Sequence, residues 1–112
     1  MRILLDECVD QRLRSLFVGH ECQTAGYAKL SGLKNGALLA AVEAAGFEAI
    51  VTTDQEIPYQ QNLNQRGISI VVLCGRTNRL ADLIPLIPEA LQALYGIECG
   101  QIVRIIRPAG LH

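Results

Sequence analysis

The sequence has no tryptophan, two phenylalanines and three tyrosines in 112 residues. A core with so few aromatics must rest mainly on Leu, Ile, Val and Ala, which suits packed strands and helices better than an all-β sandwich. Charge is not skewed either: ten basic against eleven acidic side chains leave a formal net charge of −1. No global basic field draws in nucleic acid, so any such binding must use a local, salt-sensitive patch. No apolar run approaches the roughly 20 residues of a membrane span, and the start has neither the basic nor the apolar region of a signal peptide. The expectation is a cytoplasmic chain. Cys8, Cys22, Cys74 and Cys99 form no CxxC pair, and with His20 and His112 they match no zinc spacing. Reduced, semi-buried thiols are expected. Repeats, linkers and low-complexity tracts are absent too, and the length fits one domain, residues 1–112.

What is present is an alternation of apolar runs and helical spacings. Arg2-Ile3-Leu4-Leu5 reads as a strand that meets two acids, Asp6 and Glu7. Val9, Leu13, Leu16 and Phe17 recur at helical spacing up to Gly19, and Glu21 to Thr24 is a short second strand. Residues 26–36, GYAKLSGLKNG, form a loop. Ala37 to Ala45 is a strong helix former stopped by Gly46. Ala49 to Thr53 is a third strand, again ending in an acid, Asp54. A polar segment follows over 55–66, with Pro58 placed to start a helix or turn. Ile68 to Leu73 is an unbroken apolar strand of the doubly buried kind. Leu80, Leu83, Ile84, Ile87, Leu91 and Leu94 make a helical stripe, which Pro85 and Pro88 kink or divide into two helices. Gln101 to Ile106 is the last strand. The order implies a mainly parallel sheet with helices on both faces, a three-layer α/β/α sandwich.

Ligands of such sheets sit beyond the carboxyl ends of the strands. Asp6 and Glu7, Asp54, and the run Gly75-Arg76-Thr77-Asn78 should therefore gather at one edge. Lys34 and Asn35, at the start of the middle helix, belong there too. Glu43 lies about 12 Å further along that helix at 1.5 Å per residue and is left out. The convergent set is Asp6, Glu7, Lys34, Asn35, Asp54, Glu56 and Tyr59-Gln60-Gln61-Asn62. Carboxylates on strands about 5 Å apart repel each other unless a hard cation lies between them, and Mg²⁺ or Mn²⁺ is the natural candidate. The alternative is plain: Asp6 or Glu7 caps the helix from Val9, and Asn35 is an N-cap.

The stretches RILLDEC, GLKNGALLAAVEAAGFEAIVTTDQEIPYQQNL and SIVVL together resemble the short stand-alone PIN-like domains, over nearly the whole chain. The resemblance implies a metal-dependent ribonuclease, the toxin half of a pair with a small helix-turn-helix antitoxin-type protein. It matches Asp6 and Glu7 to the acids ending the first strand, and Thr52, Asp54 and Glu56 to the motif ending the third. Asp6 and Asp54 are then the metal ligands, Glu7 and Glu56 their catalytic helpers. Lys34, Asn35, Tyr59, Gln61 and Arg76 are the RNA contacts. Many relatives carry an acid at the start of the middle helix; this chain has Lys34-Asn35 there instead and resembles the subgroup with KNG and YQQN motifs. Two other readings stay open: a catalytically silent module that binds an antitoxin-type partner, and a phosphoacceptor domain of receiver type using Asp54. A homodimer is compatible with each.

Overall fold

In an extended strand, alternate side chains point to opposite faces, so an unbroken apolar run must be covered on both. In the computed structural model, which describes residues 1–56, 63 and 66–106, five strands pair entirely in parallel. They are β1 (Arg2–Leu5), β2 (Glu21–Thr24), β3 (Ala49–Thr52), β4 (Ser69–Cys74) and β5 (Ile102–Ile106). Their order is β2-β1-β3-β4-β5, with β3 and β4 being such runs. Leu5 lies opposite Val51, and Val51 opposite Val71, so one register runs through the centre of the sheet.

Each face has its own core. Ile3, Leu5, Val51, Val71 and Leu73 pack with Leu13, Phe17, Leu83, Ala90 and Leu94. Leu4, Ile50, Ile70 and Val72 pack with Leu38, Leu39, Val42 and Phe47. The second group comes from α1 (Asn35–Ala44); the first comes from the β1–β2 connection together with α2 (Leu80–Leu83) and α3 (Ile87–Gly96). The expectation of helices on both faces of a parallel sheet is met.

Local details depart from the sequence reading in instructive ways. The segment after β1 is a 3₁₀ helix, Gln11–Leu16, and not an α-helix. Leu13 and Leu16 are three residues apart, which aligns them on a 3₁₀ repeat, and its longer rise suits a short return to β2. Pro85 lies in a second 3₁₀ turn, Ile84–Leu86, which separates α2 from α3, and Pro88 opens α3. Of the two expected outcomes, a kink or a division, the chain takes the division into two short helices. Ile84, expected on the apolar stripe, faces out.

α1 ends in a Schellman motif. The Phe47 N–H donates to Val42 O (3.2 Å) and the Gly46 N–H to Glu43 O (3.0 Å). Gly46 holds φ +85°, and a Cβ there would lie 2.7 Å from the Arg2 guanidinium. That guanidinium donates to Ala45 O, lies over the Phe47 ring at 4.6 Å and pairs with Glu21 at 3.3 Å. One arginine at the start of β1 thus ties the end of α1 to the edge strand β2.

Glu43, left out of the site by its distance along the helix, has a structural role. It accepts from Arg66 Nη1 (3.1 Å) and from the Gly67 N–H (2.6 Å), clamping the entry to β4 against α1. These donors, the Gly67 N–H foremost, hold its carboxyl below the usual range. A depressed carboxylate adds stability above its ordinary pKa and loses it as the pH falls through the folded value. Glu43→Gln is expected to lower the melting temperature at pH 7, with the gap to wild type closing as the buffer is taken below pH ~4; a gap independent of pH would rule out the charge as its source. Gly46→Ala should cost about 1–2 kcal/mol in urea unfolding, because alanine resists a left-handed backbone and would also displace Arg2.

Candidate functional site: an acidic cleft at the carboxyl edge of the sheet

β1 and β3 are neighbours at the point where the strand order reverses, and a parallel sheet opens a crevice there. Both strands end in polar residues held by one directional chain of hydrogen bonds. The Asp6 N–H still belongs to the ladder, donating to Val51 O at 2.9 Å, so Asp6 faces Thr52 across the pair. The Thr52 hydroxyl donates to Asp6 Oδ2 (2.9 Å) and accepts the Asp54 N–H (3.1 Å). Asp6 Oδ1 accepts the Glu7 N–H (2.9 Å), and Asp54 Oδ1 accepts the Glu56 N–H (3.1 Å). The direction of the Thr52 bond is forced, since an ionised carboxylate can only accept. Thr52 is fully buried. Each aspartate oxygen engaged this way keeps a further lone pair facing the solvent.

These residues line a cleft of about 660 Å³. Asp6, Glu7, Cys8, Asp54 and Glu56 form one side, Leu33, Lys34 and Leu38 the other, and Asn78 stands at the β4 end. The capping alternative for Asp6 does not hold. Asp10 caps the 3₁₀ helix by accepting the Arg12 N–H at 2.9 Å, leaving Asp6 and Glu7 to the cleft. Its carboxyl drops to about 2, chiefly through the Arg12 side chain and then the Arg12 N–H.

Lys34, rather than Asn35, is the N-cap of α1, and its side chain makes no capping bond. It is free to extend into the cleft, where the unpaired N–H groups at the start of α1 add positive character. Asn35 is the first helical residue, at the expected end of α1; its side chain lies outside the described structure. Tyr59 and Gln61, with the rest of the YQQN run, are outside the described residues as well. Arg76 is exposed on the β4–α2 loop and does not line the cleft; Asn78 does so in its place. The loop is tightly packed at Gly75. A side chain at Gly75 would strike Thr77 O at 2.9 Å and Asp82 O at 3.0 Å, and the Thr77 hydroxyl is bound to Asp82.

Sequence reasoning missed the part played by Cys8. Its Sγ donates to Asp6 Oδ2 (3.7 Å), accepts the Thr53 hydroxyl (3.3 Å) and lies 3.4 Å from the Thr52 hydroxyl, so it joins the hydrogen-bonded group around Asp6. All four cysteines are free, but only Cys22 and Cys74 are semi-buried; Cys8 and Cys99 are exposed. Burial raises the Cys22 thiol to about 11 and also raises Cys74.

Among the described residues, no group of three or more His, Cys, Asp or Glu side chains is placed to hold a metal ion. The donor set offered to a cation is therefore Asp6 and Asp54. One or two carboxylates, completed by waters and a substrate phosphate, are what Mg²⁺ usually takes from a protein, so the set fits. Electrostatics favour the same answer, because four acids against one lysine would repel a phosphate unless a cation intervened. Together the fold and cleft define an α/β protein with an acid-lined cleft at the carboxyl edge of its parallel sheet. No family model, curated protein or solved structure matches the chain.

The Thr52 bridge is testable on its own. Thr52→Val leaves Asp54 N–H and Asp6 Oδ2 without their shared partner at a buried position. Urea unfolding should show a loss of about 1–3 kcal/mol, largely restored by Thr52→Ser.

Proposed function

We propose that this chain is a metal-dependent endoribonuclease of PIN-like type, acting on single-stranded RNA as the toxin of a toxin–antitoxin pair. One observation carries the reading: Asp6 and Asp54, far apart in sequence, end adjacent strands and are held toward one cleft by the buried Thr52 hydroxyl. Asp6 and Asp54 would hold Mg²⁺ or Mn²⁺. Such an ion supplies Lewis-acid activation of water and neutralises charge on a phosphodiester.

The chain's own residues do the rest. Glu7 and Glu56 flank the aspartates at the cleft wall, where either carboxylate can accept a proton from the attacking water. Lys34 meets the phosphate from the opposite wall, and Asn78 offers an amide at the β4 end. Asn35 adds no charge where many relatives of the resembled family carry an acid. The site therefore relies on two carboxylates, which implies weak metal affinity and a need for millimolar ion. The partner of this reading is a small helix-turn-helix antitoxin-type protein.

The strand order β2-β1-β3-β4-β5 is also that of doubly wound phosphoacceptor domains. Two points count against that reading. α3 lies on the same face as the β1–β2 connection, and the expected lysine after the last strand is Arg107, outside the described residues.

Purified protein should cleave single-stranded RNA with Mn²⁺ and not with EDTA. Asp6→Asn and Asp54→Asn should each lower the rate by more than about 100-fold. Equal cleavage by wild type and both variants would trace the activity to a contaminant. No cleavage, with an antitoxin-type partner still bound, would leave a silent binding module.

A further inference from the structure

The acidic cleft continues past β1. On the far side of Asp6 and Glu7, a hollow of about 320 Å³ opens over the ends of β1 and β2, walled by Thr24 and Ser31. It leads into another of about 660 Å³, between the 3₁₀ helix and the turn after β2, bounded by Arg12, Arg14 and Tyr27. Neighbouring hollows share walls: Asp6 and Glu7 belong to the first two, Thr24 and Gly26 to the last two. They make one groove along the carboxyl edge.

Its character changes along its length. The middle is acidic; the outer end is basic and carries an aromatic ring. Arg12 is committed to Asp10, with bonds of 3.0 and 2.7 Å, whereas Arg14 has no ion pair among the described residues. Tyr27 is 73% exposed, yet its backbone is fixed. Its N–H donates to Thr24 Oγ1 (3.1 Å), the Ala28 N–H donates to Thr24 O (3.0 Å), and Lys29 closes the turn at φ 61°. An aromatic ring held out on a fixed turn beside an unpaired arginine is a platform for an unpaired base and its phosphate. Gln11, Arg12, Arg14 and Thr24 surround the ring and offer hydrogen-bond donors and positive charge to a phosphate.

We propose that this groove is the track of the substrate strand. A nucleotide flanking the reacting phosphate stacks on Tyr27 with its own phosphate at Arg14, while the bond to be cut lies at Asp6 and Asp54. The assignment rests on the nuclease reading for the identity of the strand, but its test is a binding measurement. Asp54→Asn protein, which keeps the probe intact, is titrated into a fluorescein-labelled single-stranded RNA decamer in Mg²⁺ and followed by anisotropy.

Adding Tyr27→Ala should weaken binding about 5- to 100-fold, and Tyr27→Phe should restore it. Arg14→Gln should weaken binding several-fold and reduce the salt slope by about one. A blunt RNA duplex, whose bases are not available for stacking, should not respond to Tyr27→Ala. Unchanged affinity in both Tyr27→Ala and Arg14→Gln overturns the track and leaves the nuclease reading standing. Loss of binding in these variants, with a wild type that never cleaves RNA, upholds the track and removes the nuclease. Equal loss on the duplex overturns the stacking role, as does loss of a bound protein partner with RNA affinity unchanged.

Discussion

The hydrogen bond from the Thr52 hydroxyl to the Asp6 carboxylate is the interaction on which the site depends. It joins two strands that meet only because the β2–β3 connection steps back over β1. Backbone pairing brings Asp6 opposite Thr52, but pairing alone does not aim a carboxylate. A buried hydroxyl with one donor must choose its acceptor, and an ionised aspartate outcompetes a carbonyl because charge-assisted bonds are roughly twice as strong. With its donor used on Asp6, the same oxygen is left to accept the Asp54 N–H. One buried side chain therefore orients the Asp6 carboxylate and fixes the backbone from which Asp54 projects. The turn bonds from Glu7 N–H and Glu56 N–H then remove their remaining rotational freedom.

That arrangement concentrates negative charge where a phosphodiester would have to bind. The tension is resolved locally at the cleft by Lys34 and the start of α1 opposite the acids, and at a distance by Arg14 and Tyr27 at the far end of the groove. A chain of net charge −1 cannot attract a polyanion globally, so affinity must come from such separated contacts. On the proposed nuclease reading, an acidic centre with cationic or aromatic contacts to either side would let the flanks hold the strand and leave the centre to a cation.

Much of this was legible in the sequence. Apolar runs ending in Asp6 and Asp54 identified both strands and the edge where they meet, because a parallel sheet leaves its strand ends no other place to go. Gly46 announced the end of α1, and two prolines divided the last helical stripe. The errors share a cause: each needed tertiary information. Arg76 and Asn78 are two residues apart on one loop, and nothing in the local sequence marks Asn78 as the one that lines the cleft. Apolar spacing over Val9 to Phe17 fits an α-helix or a 3₁₀ helix equally; the distance to be covered chose the latter. Asn35 lost the cap position to Lys34 although asparagine is the better capping residue, so propensity yielded to the path of the incoming loop. Tyr27 lay within a loop read from its glycines, where nothing in the local pattern marked an exposed ring.

One further feature of the topology has a physical cause. The β1–β2 and β4–β5 connections step in opposite directions across the sheet, yet both lie on the face of Ile3, Leu5 and Val71. They are therefore of opposite hand, against the strong preference for right-handed crossovers. Burial explains it. The β1–β2 connection holds only a six-residue 3₁₀ helix and buries Val9, Leu13 and Phe17, too little to cover that whole face. Val51, Val71, Leu73 and Ile105 would remain in water, and each such side chain is worth about 1.5–3 kcal/mol on burial. α3 supplies the missing cover through Ile87, Ala90 and Leu94, while α1 already occupies the opposite face. The short first connection that leaves the groove open above β2 thus dictates where the last helix must pack. An α-helix of ordinary length after β1 would have removed the need for the inverted crossover, and its added bulk would have stood where Tyr27 and Arg14 now line the groove.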